Sequence, residues 1–336
     1  MEISTVAANS PVAKCANAAQ IPEYVKVPVS EAFGIESNSV VRGKGDDTHP
    51  LIPLVKPYIY RKEPLQEVLA FLMQPAGDGL CITGPTGSGK TSLIEQVAAH
   101  LNWGVVNVAA HGRLTFEDLC GLWTIGEGGT TQYLYGPLVN AARDGHVLVI
   151  NEFDLADPSE MAGLNDVLEG KPLVLAAKGG EIIQIHKDFR LVITGNSAGQ
   201  GDHSGLYAGV MQQNLAFMDR FLMLEVDYMS PEDELTVLKG IVGSSITDPV
   251  LEKMIEVANH IRRVFKGEGE SGGELSITLS TRTLVRWARK ALNFRKQPNT
   301  LSYALDMALC RRAEPAQQLI IHRIAKDVFG DDWSGE

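Results

Sequence analysis

The sequence has no apolar run approaching the ~20 residues that a bilayer-spanning helix requires, so no membrane segment is expected. Its opening residues, MEISTVAANSPVAKC, carry no basic stretch followed by a long apolar core. No secretory signal is expected, and the cytoplasm is the expected compartment. Cysteine is scarce: Cys15, Cys81, Cys120 and Cys310 lie far apart and fit no metal-binding spacing. Cys81 and Cys310 stand in apolar surroundings and read as buried thiols. Positive charge is short as well. With 30 Lys and Arg against 41 Asp and Glu the net charge is −11, which weighs against a protein that coats nucleic acid by bulk electrostatics but leaves a local basic channel open. No internal repeat is present.

What remains is an ordinary globular composition, 44% hydrophobic and 21% charged, over 336 residues. That length suits one large domain plus a small one. Residues 1–27, rich in Ala, Ser, Asn and Pro, read as a flexible tail. Residues 27–35 read as a short docking segment, and 40–57 as extended chain broken by Gly and Pro. From about 57 to 230 strand-like and helical runs alternate, the pattern of a parallel α/β sheet. The run 146–150 is almost wholly apolar, as in a strand buried on both faces. Residues 121–138 and 173–185 read as two β-hairpins, each turning through glycines. Helices are expected at 158–169 and 212–217. Beyond Asp227 the strand signal ends, and helices at 231–240, 250–265, 281–294 and 302–328 make a smaller all-helical domain over 231–336, after an α/β domain over 28–230. Residues 266–273 (KGEGESGG) read as a flexible loop.

The chain is organised around Gly84-Pro85-Thr86-Gly87-Ser88-Gly89-Lys90-Thr91, a G-x-x-x-x-G-K-T phosphate-binding loop between a short apolar strand and a helix start. Its glycines let backbone N–H groups wrap a phosphate, and the helix N-terminus adds partial positive charge. Lys90 is expected to reach the outer phosphates of ATP and Thr91 the Mg2+. At the end of the 146–150 strand stands Asn151-Glu152-Phe153-Asp154. Glu152 is the candidate general base. Asn151 stands where a metal-holding carboxylate is expected and brings no negative charge, a loss that Asp154 is placed to offset in part. A polar helix-capping turn is the alternative reading of these four residues. Asn196, after the 190–194 strand, is a candidate to orient the attacking water or touch the γ-phosphate, or else an ordinary turn residue. Arg220 precedes the last strand, placed to reach a neighbouring subunit's nucleotide or to pair with Asp219. Arg282 opens a helix of the small domain and can reach phosphates in cis or trans, or lie solvated. Trp123, Tyr133 and Tyr135 in the first hairpin either grip a polypeptide or pack on their own domain. His203 reads as a polar loop residue rather than a metal ligand, and Arg262-Arg263 as part of a solvated or subunit-facing helix surface.

The order phosphate loop, NEFD, GNS, MDRF and STR, followed by a helical C-terminal region, resembles the AAA+ ATPases, specifically their MoxR branch. The hairpin at 121–138 resembles that clade's insertion in its second helix, and the one at 172–186 its pre-sensor insertion. VSEAFGI near residue 29, LIEQVAAHLNW (93–103), NEFDLADP and above all GQGDHSGLYAGVMQQNLAFMDRF (199–221) are similar to the small ATPase subunits of aerobic cobaltochelatases. The resemblance covers about residues 27–325. It implies a homo-oligomeric ring, usually a hexamer, with ATP bound between subunits. Arg220 would be the arginine finger, and Asn196 and Arg282 the two sensors. It also implies a partner carrying a von Willebrand A-type domain. Asn151 departs from the family's Asp, which bears on turnover rather than on ATP binding. Three functional readings follow: a ring motor remodelling a partner protein, as in a cobalt chelatase; a nucleic-acid motor, disfavoured by the acidic charge; and a nucleotide-gated scaffold with slow hydrolysis.

Overall fold

A computed structural model describes residues 24–201, 209–268 and 275–333. Most of the tail read over 1–27, His203, and residues 269–273 of the expected loop lie outside the described residues. The last tail residues differ from expectation. Tyr24–Pro28 form a strand (β1) that pairs antiparallel with β2 (Val40–Lys44), on either side of a short helix α1 (Val29–Phe33). Val29 and Phe33 are buried, which pins this segment to the α/β core. Helix α2 (Lys62–Met73) starts with Pro64 in its first turn, where a missing N–H costs nothing.

The central sheet holds five parallel strands. In chain order they are β3 (Gly79–Thr83), then after helix α3 (Lys90–His100) β4 (Val105–Ala109). Helix α4 (Phe116–Cys120) leads into the first hairpin, β5 (Gly121–Ile125) and β6 (Thr131–Tyr135), and helix α5 (Pro137–Asp144) into β7 (Val147–Asn151). The helix expected over 158–169 is broken into α6 (Pro158–Met161), a 3₁₀ turn and α7 (Asn165–Leu168). The second hairpin is β8 (Leu173–Leu175) with β9 (Glu181–Ile183). Strand β10 (Arg190–Gly195), helix α8 (Leu215–Met218) and β11 (Phe221–Glu225) complete the domain. Helix α8 is shorter than the expected 212–217 because Gln212 pairs in a bridge with Gln200 and Asn214 caps the helix through its side chain.

The spatial order is β11-β3-β10-β7-β4. Alternation along each strand divides the core. Cys81, Leu148, Ile150, Leu191 and Ile193 face one layer, while Leu80, Ile82, Val147, Val149 and Val192 face the other. The phosphate loop and the loops carrying Asn151, Glu152 and Asn196 leave the C-terminal edge of this sheet, where open α/β sheets place ligands.

Helices α9 (Pro231–Val242), α10 (Asp248–Phe265), α11 (Thr281–Asn293), α12 (Thr300–Ala308) and α13 (Pro315–Phe329) enclose a separate core around Trp287, Leu251, Ile261 and Phe329. The single helix expected over 302–328 is two helices. Pro315 lacks the N–H that would continue the ladder, so it opens α13 after a 3₁₀ turn at Cys310–Arg312. Among the described residues no helix is long and apolar enough to cross a membrane.

Candidate functional site

The loop between β3 and α3 is held in shape by contacts that only glycine permits. A Cβ on Gly84 (φ +140°) would lie 2.1 Å from the Val226 carbonyl oxygen, and one on Gly87 (φ +75°) 2.6 Å from the Ser280 side chain. The first contact ties the loop to the end of β11. The second seats it against the turn that starts α11, so the helical region closes over the loop. Tyr228 adds a third tie, its hydroxyl donating to the Thr86 carbonyl at 3.2 Å.

Lys90 folds back inside the loop and donates to the Gly84 and Pro85 carbonyls at 2.7 and 3.1 Å. Burial pushes its ammonium down to about 8, while Asp154 and Glu152 oppose that shift. The Ser88 hydroxyl is buried without a hydrogen-bond partner inside the same loop. These are the features of a cradle for a multiply charged oxyanion: a compact cation and an unspent hydroxyl at a helix start.

The other strand ends converge on this point. Asn196, at the end of β10, accepts from Lys90 Nζ at 3.1 Å and lies 3.4 Å from the Thr86 hydroxyl. Asn151, at the end of β7, accepts from the Thr91 hydroxyl at 2.6 Å and from the Thr194 hydroxyl at 3.2 Å. Glu152 sits beyond it at φ +56°, a left-handed conformation that a residue with a side chain rarely adopts. It is exposed and lines a cleft of about 340 Å³ with Lys90, Thr91, Asn151, Asn196 and Arg282. Arg282 thus faces the phosphate loop of its own chain.

Asp154 takes a part beyond the one read for it. It is fully buried and accepts from the backbone N–H groups of Asn196 and Ser197 at 3.0 and 3.2 Å. Its carboxylate fixes the Asn196 turn, and its charge also acts on Lys90.

Arg220 lies outside the cleft. It precedes β11, whose Phe221 pairs with Gly79 at the start of β3, and its carbonyl accepts from Gly79 N–H at 2.9 Å. The phosphate loop begins at the far end of β3, about 15 Å away at ~3.3 Å per residue. The guanidinium is paired not with Asp219 but with Glu169, at 2.5 Å and 3.2 Å, and also with the Ala216 carbonyl. Hydrogen bonds from Lys171 and Arg220 lower the Glu169 carboxyl to about 2.

Arg262 corrects a second expectation. It is not solvated but 4% exposed, and it makes a two-pronged pair with the fully buried Glu234 at 2.7 and 2.9 Å. Glu234 also accepts from Thr281, the residue before Arg282, at 2.6 Å, and Arg262 stacks over Tyr228 at 4.2 Å. This buried pair therefore orients both the Arg282 turn and the tyrosine that touches Thr86. Nothing in local sequence periodicity marks it; only the fall of Glu234 and Arg262 on facing helix stripes does.

In the hairpins, Tyr133 and Tyr135 pack on the domain core, and Lys178 lies over the Tyr135 ring at 4.0 Å. The Trp123 indole donates to the Ala177 carbonyl at 2.9 Å, joining the two hairpins. The outward pairs Leu122–Leu134 and Val174–Ile182 are exposed.

Cys81 and Cys310 are buried, and burial raises both thiols to about 12. The absence of a metal spacing in the sequence hid one feature: Asp306, Cys310 and His322 bring ligand atoms within 4.8 Å of one another. His322 already spends Nε2 on Asp306 at 2.8 Å, and its other ring nitrogen is buried without an outer partner.

Comparison with known proteins agrees with this geometry. The AAA domain of the dynein-related subfamily matches residues 79–221, from β3 through the start of β11, and the CbbQ/NirQ/NorQ C-terminal family matches residues 239–328. The chain belongs to the MoxR-type AAA+ ATPases. This MoxR-type chain is 29% identical over 314 residues to aerobic cobaltochelatase subunit CobS of a Sinorhizobium species, covering 90% of each protein. It is 29% identical over 206 residues to protein CbbQ of Hydrogenophilus thermoluteolus, spanning 61% of the chain and 71% of CbbQ. A protein of Staphylococcus epidermidis is 30% identical over 210 residues, 61% of the chain and 75% of that protein. Membership makes the MoxR-type chain a nucleotide-binding protein and an ATPase.

Proposed function

We propose that the chain is a ring-forming ATP motor that remodels or activates a partner protein complex. The observation that carries this reading is the separation of Arg220 from its own phosphate loop by the length of the sheet, while every other phosphate-facing candidate converges there. A site so built is completed by the next subunit.

The residues fit an ATP–Mg2+ pair. The loop of Gly84, Pro85, Thr86, Gly87, Ser88 and Gly89 offers backbone N–H groups to the phosphates, with Thr86, Gly87 and Gly89 lining the cleft. Lys90 exchanges the Gly84 and Pro85 carbonyls for phosphate oxygens. Thr91 and Asn151, whose side-chain oxygens lie 2.6 Å apart, would hold magnesium, and the ion would neutralise phosphate charge. Glu152, held out of the turn by its strained backbone, accepts the proton of the attacking water. Asn196 orients that water, its turn fixed by Asp154. Arg282 of the same chain and Arg220 of the neighbouring one stabilise the charge that develops.

The partner-directed part of the reading rests on likeness to CobS and CbbQ. A chelatase-like role is the finer proposal that the likeness to CobS supports, and a hexamer with a von Willebrand A-type partner is proposed from the MoxR resemblance of the sequence. Glu152→Gln tests the chemical core. It is expected to keep nucleotide affinity and to lower turnover by about 10² or more, as loss of a general base does. Unchanged turnover would remove Glu152 from the reaction.

A further inference from the structure

Asn151 poses a problem that an aspartate would not. A carboxylate presents oxygen whichever way it turns, but an amide presents oxygen on one side and N–H₂ on the other. Turned the wrong way, Asn151 would aim two donors at the Thr91 hydroxyl and at a cation. We propose that Glu95 and Asn107 are positioning residues that lock the Asn151 amide with its oxygen toward Thr91 and return a negative charge to the magnesium side of the site.

The argument follows hydrogen-bond polarity. Glu95 lies one helical turn after Thr91 on α3 and lines the cleft, and its carboxylate can only accept. Asn107, on β4, must therefore turn its N–H₂ to Glu95, and it does so at 2.9 Å. That leaves the Asn107 oxygen facing Asn151, which must answer with its own N–H₂, here at 3.2 Å. The Asn151 oxygen is then the atom left for Thr91 and Thr194, at 2.6 and 3.2 Å. Every donor in the series points toward Glu95. One acceptor-only group at the end fixes the sense of two amides that would otherwise be free to flip. The register of the sheet makes the relay possible, since Asn107 pairs with Val149 and Ala109 with Asn151, which sets the Asn107 side chain alongside the end of β7.

The inference rests on the reading of Thr91 and Asn151 as magnesium ligands, and the experiment separates the two. A fluorescent ADP is titrated onto the full chain in EDTA and again with Mg2+. The natural chain is expected to bind in EDTA and to bind more tightly with Mg2+. Glu95→Gln leaves the EDTA affinity unchanged and reduces the Mg2+-dependent tightening by about 10-fold, the scale of losing an outer partner of a metal ligand. Asn107→Ala, at an exposed strand position, behaves alike, and Glu95→Asp retains part of the effect. If Glu95→Gln and Asn107→Ala keep the full tightening, the relay is overturned. If the natural chain binds but Mg2+ adds nothing, the reading of Thr91 and Asn151 fails, and the relay falls with it.

Discussion

Asn151 and Glu152 are adjacent at the end of β7, yet their backbones differ: Asn151 ends the strand, and Glu152 turns to φ +56°. The strand supplies rigidity, and the strained residue aims a carboxylate into the cleft. Asn151→Asp would place a full charge beside Thr91 and is expected to raise ATP turnover about 5- to 10-fold, equivalent to ~1 to 1.4 kcal/mol. Because the new carboxylate would draw the Asn107 N–H₂ away from Glu95, the gain is expected to be larger in a Glu95→Gln background. Turnover measured on the four variants of that cycle checks it; no gain in either background means that Asn151 does not limit hydrolysis. Residues 84–91 were legible in the sequence because the loop's demands are local: glycines at fixed offsets, then Lys and Thr at a helix start. Glu95 and Asn107 were not, because a helix turn and a neighbouring strand meet only through sheet register. The part of Asp154 in fixing the Asn196 turn was not legible, since nothing in NEFD says which carboxylate is buried there.

At the scale of elements, the helical region is joined to the phosphate loop by few but directed contacts. Gly87 meets Ser280, Tyr228 meets Thr86, and the Glu234–Arg262 pair holds the turn that carries Arg282. Glu234→Ala would leave Arg262 buried without its carboxylate, which is expected to cost about 3–5 kcal/mol in denaturant unfolding. Arg282 would also lose its anchored neighbour Thr281, so nucleotide affinity should fall in the same variant. A cost under about 1 kcal/mol would mean that solvent already screens the pair. The parallel sheet and both hairpins were legible from all-apolar runs and glycine turns. The division of 302–328 was not, because apolar periodicity continues across the break; Pro315 was its one local sign.

The whole molecule carries a second cluster at the other end of the sheet from the nucleotide cleft. His146 precedes β7, buried beside the ring of His49 at 4.6 Å, with Lys44 and His186 also near and Asp144 opposing them in charge. Burial, then Lys44 and His49, push its imidazolium down to about 4 from an ordinary 6.5. The unfolded chain therefore takes up this proton first as pH falls. Stability contributed by neutral His146 is complete above pH ~6.5 and is lost progressively toward pH ~4, roughly 2 kcal/mol of it between pH 7 and 5. Urea midpoints at those two pH values are expected to differ less in His146→Gln than in the natural chain; equal differences would place the titration elsewhere.

The larger consequence at this scale is assembly. Arg220 sits a full strand length from its own phosphate loop, paired meanwhile to Glu169, and in the proposed assembly it is the neighbouring chain's phosphate loop that it serves. The most direct measurement is ATP turnover by rings co-expressed from two inactive chains, Arg220→Ala and Lys90→Ala. Each alone is expected to lose turnover by about 10³ or more, and Arg220→Ala to retain nucleotide binding. In mixed rings, an intact phosphate loop from one chain faces an intact Arg220 from the other, and turnover should return to a clear fraction of the natural level. Mixed rings as inactive as their parents, or an Arg220→Ala chain that hydrolyses ATP normally, would contradict a site shared between subunits.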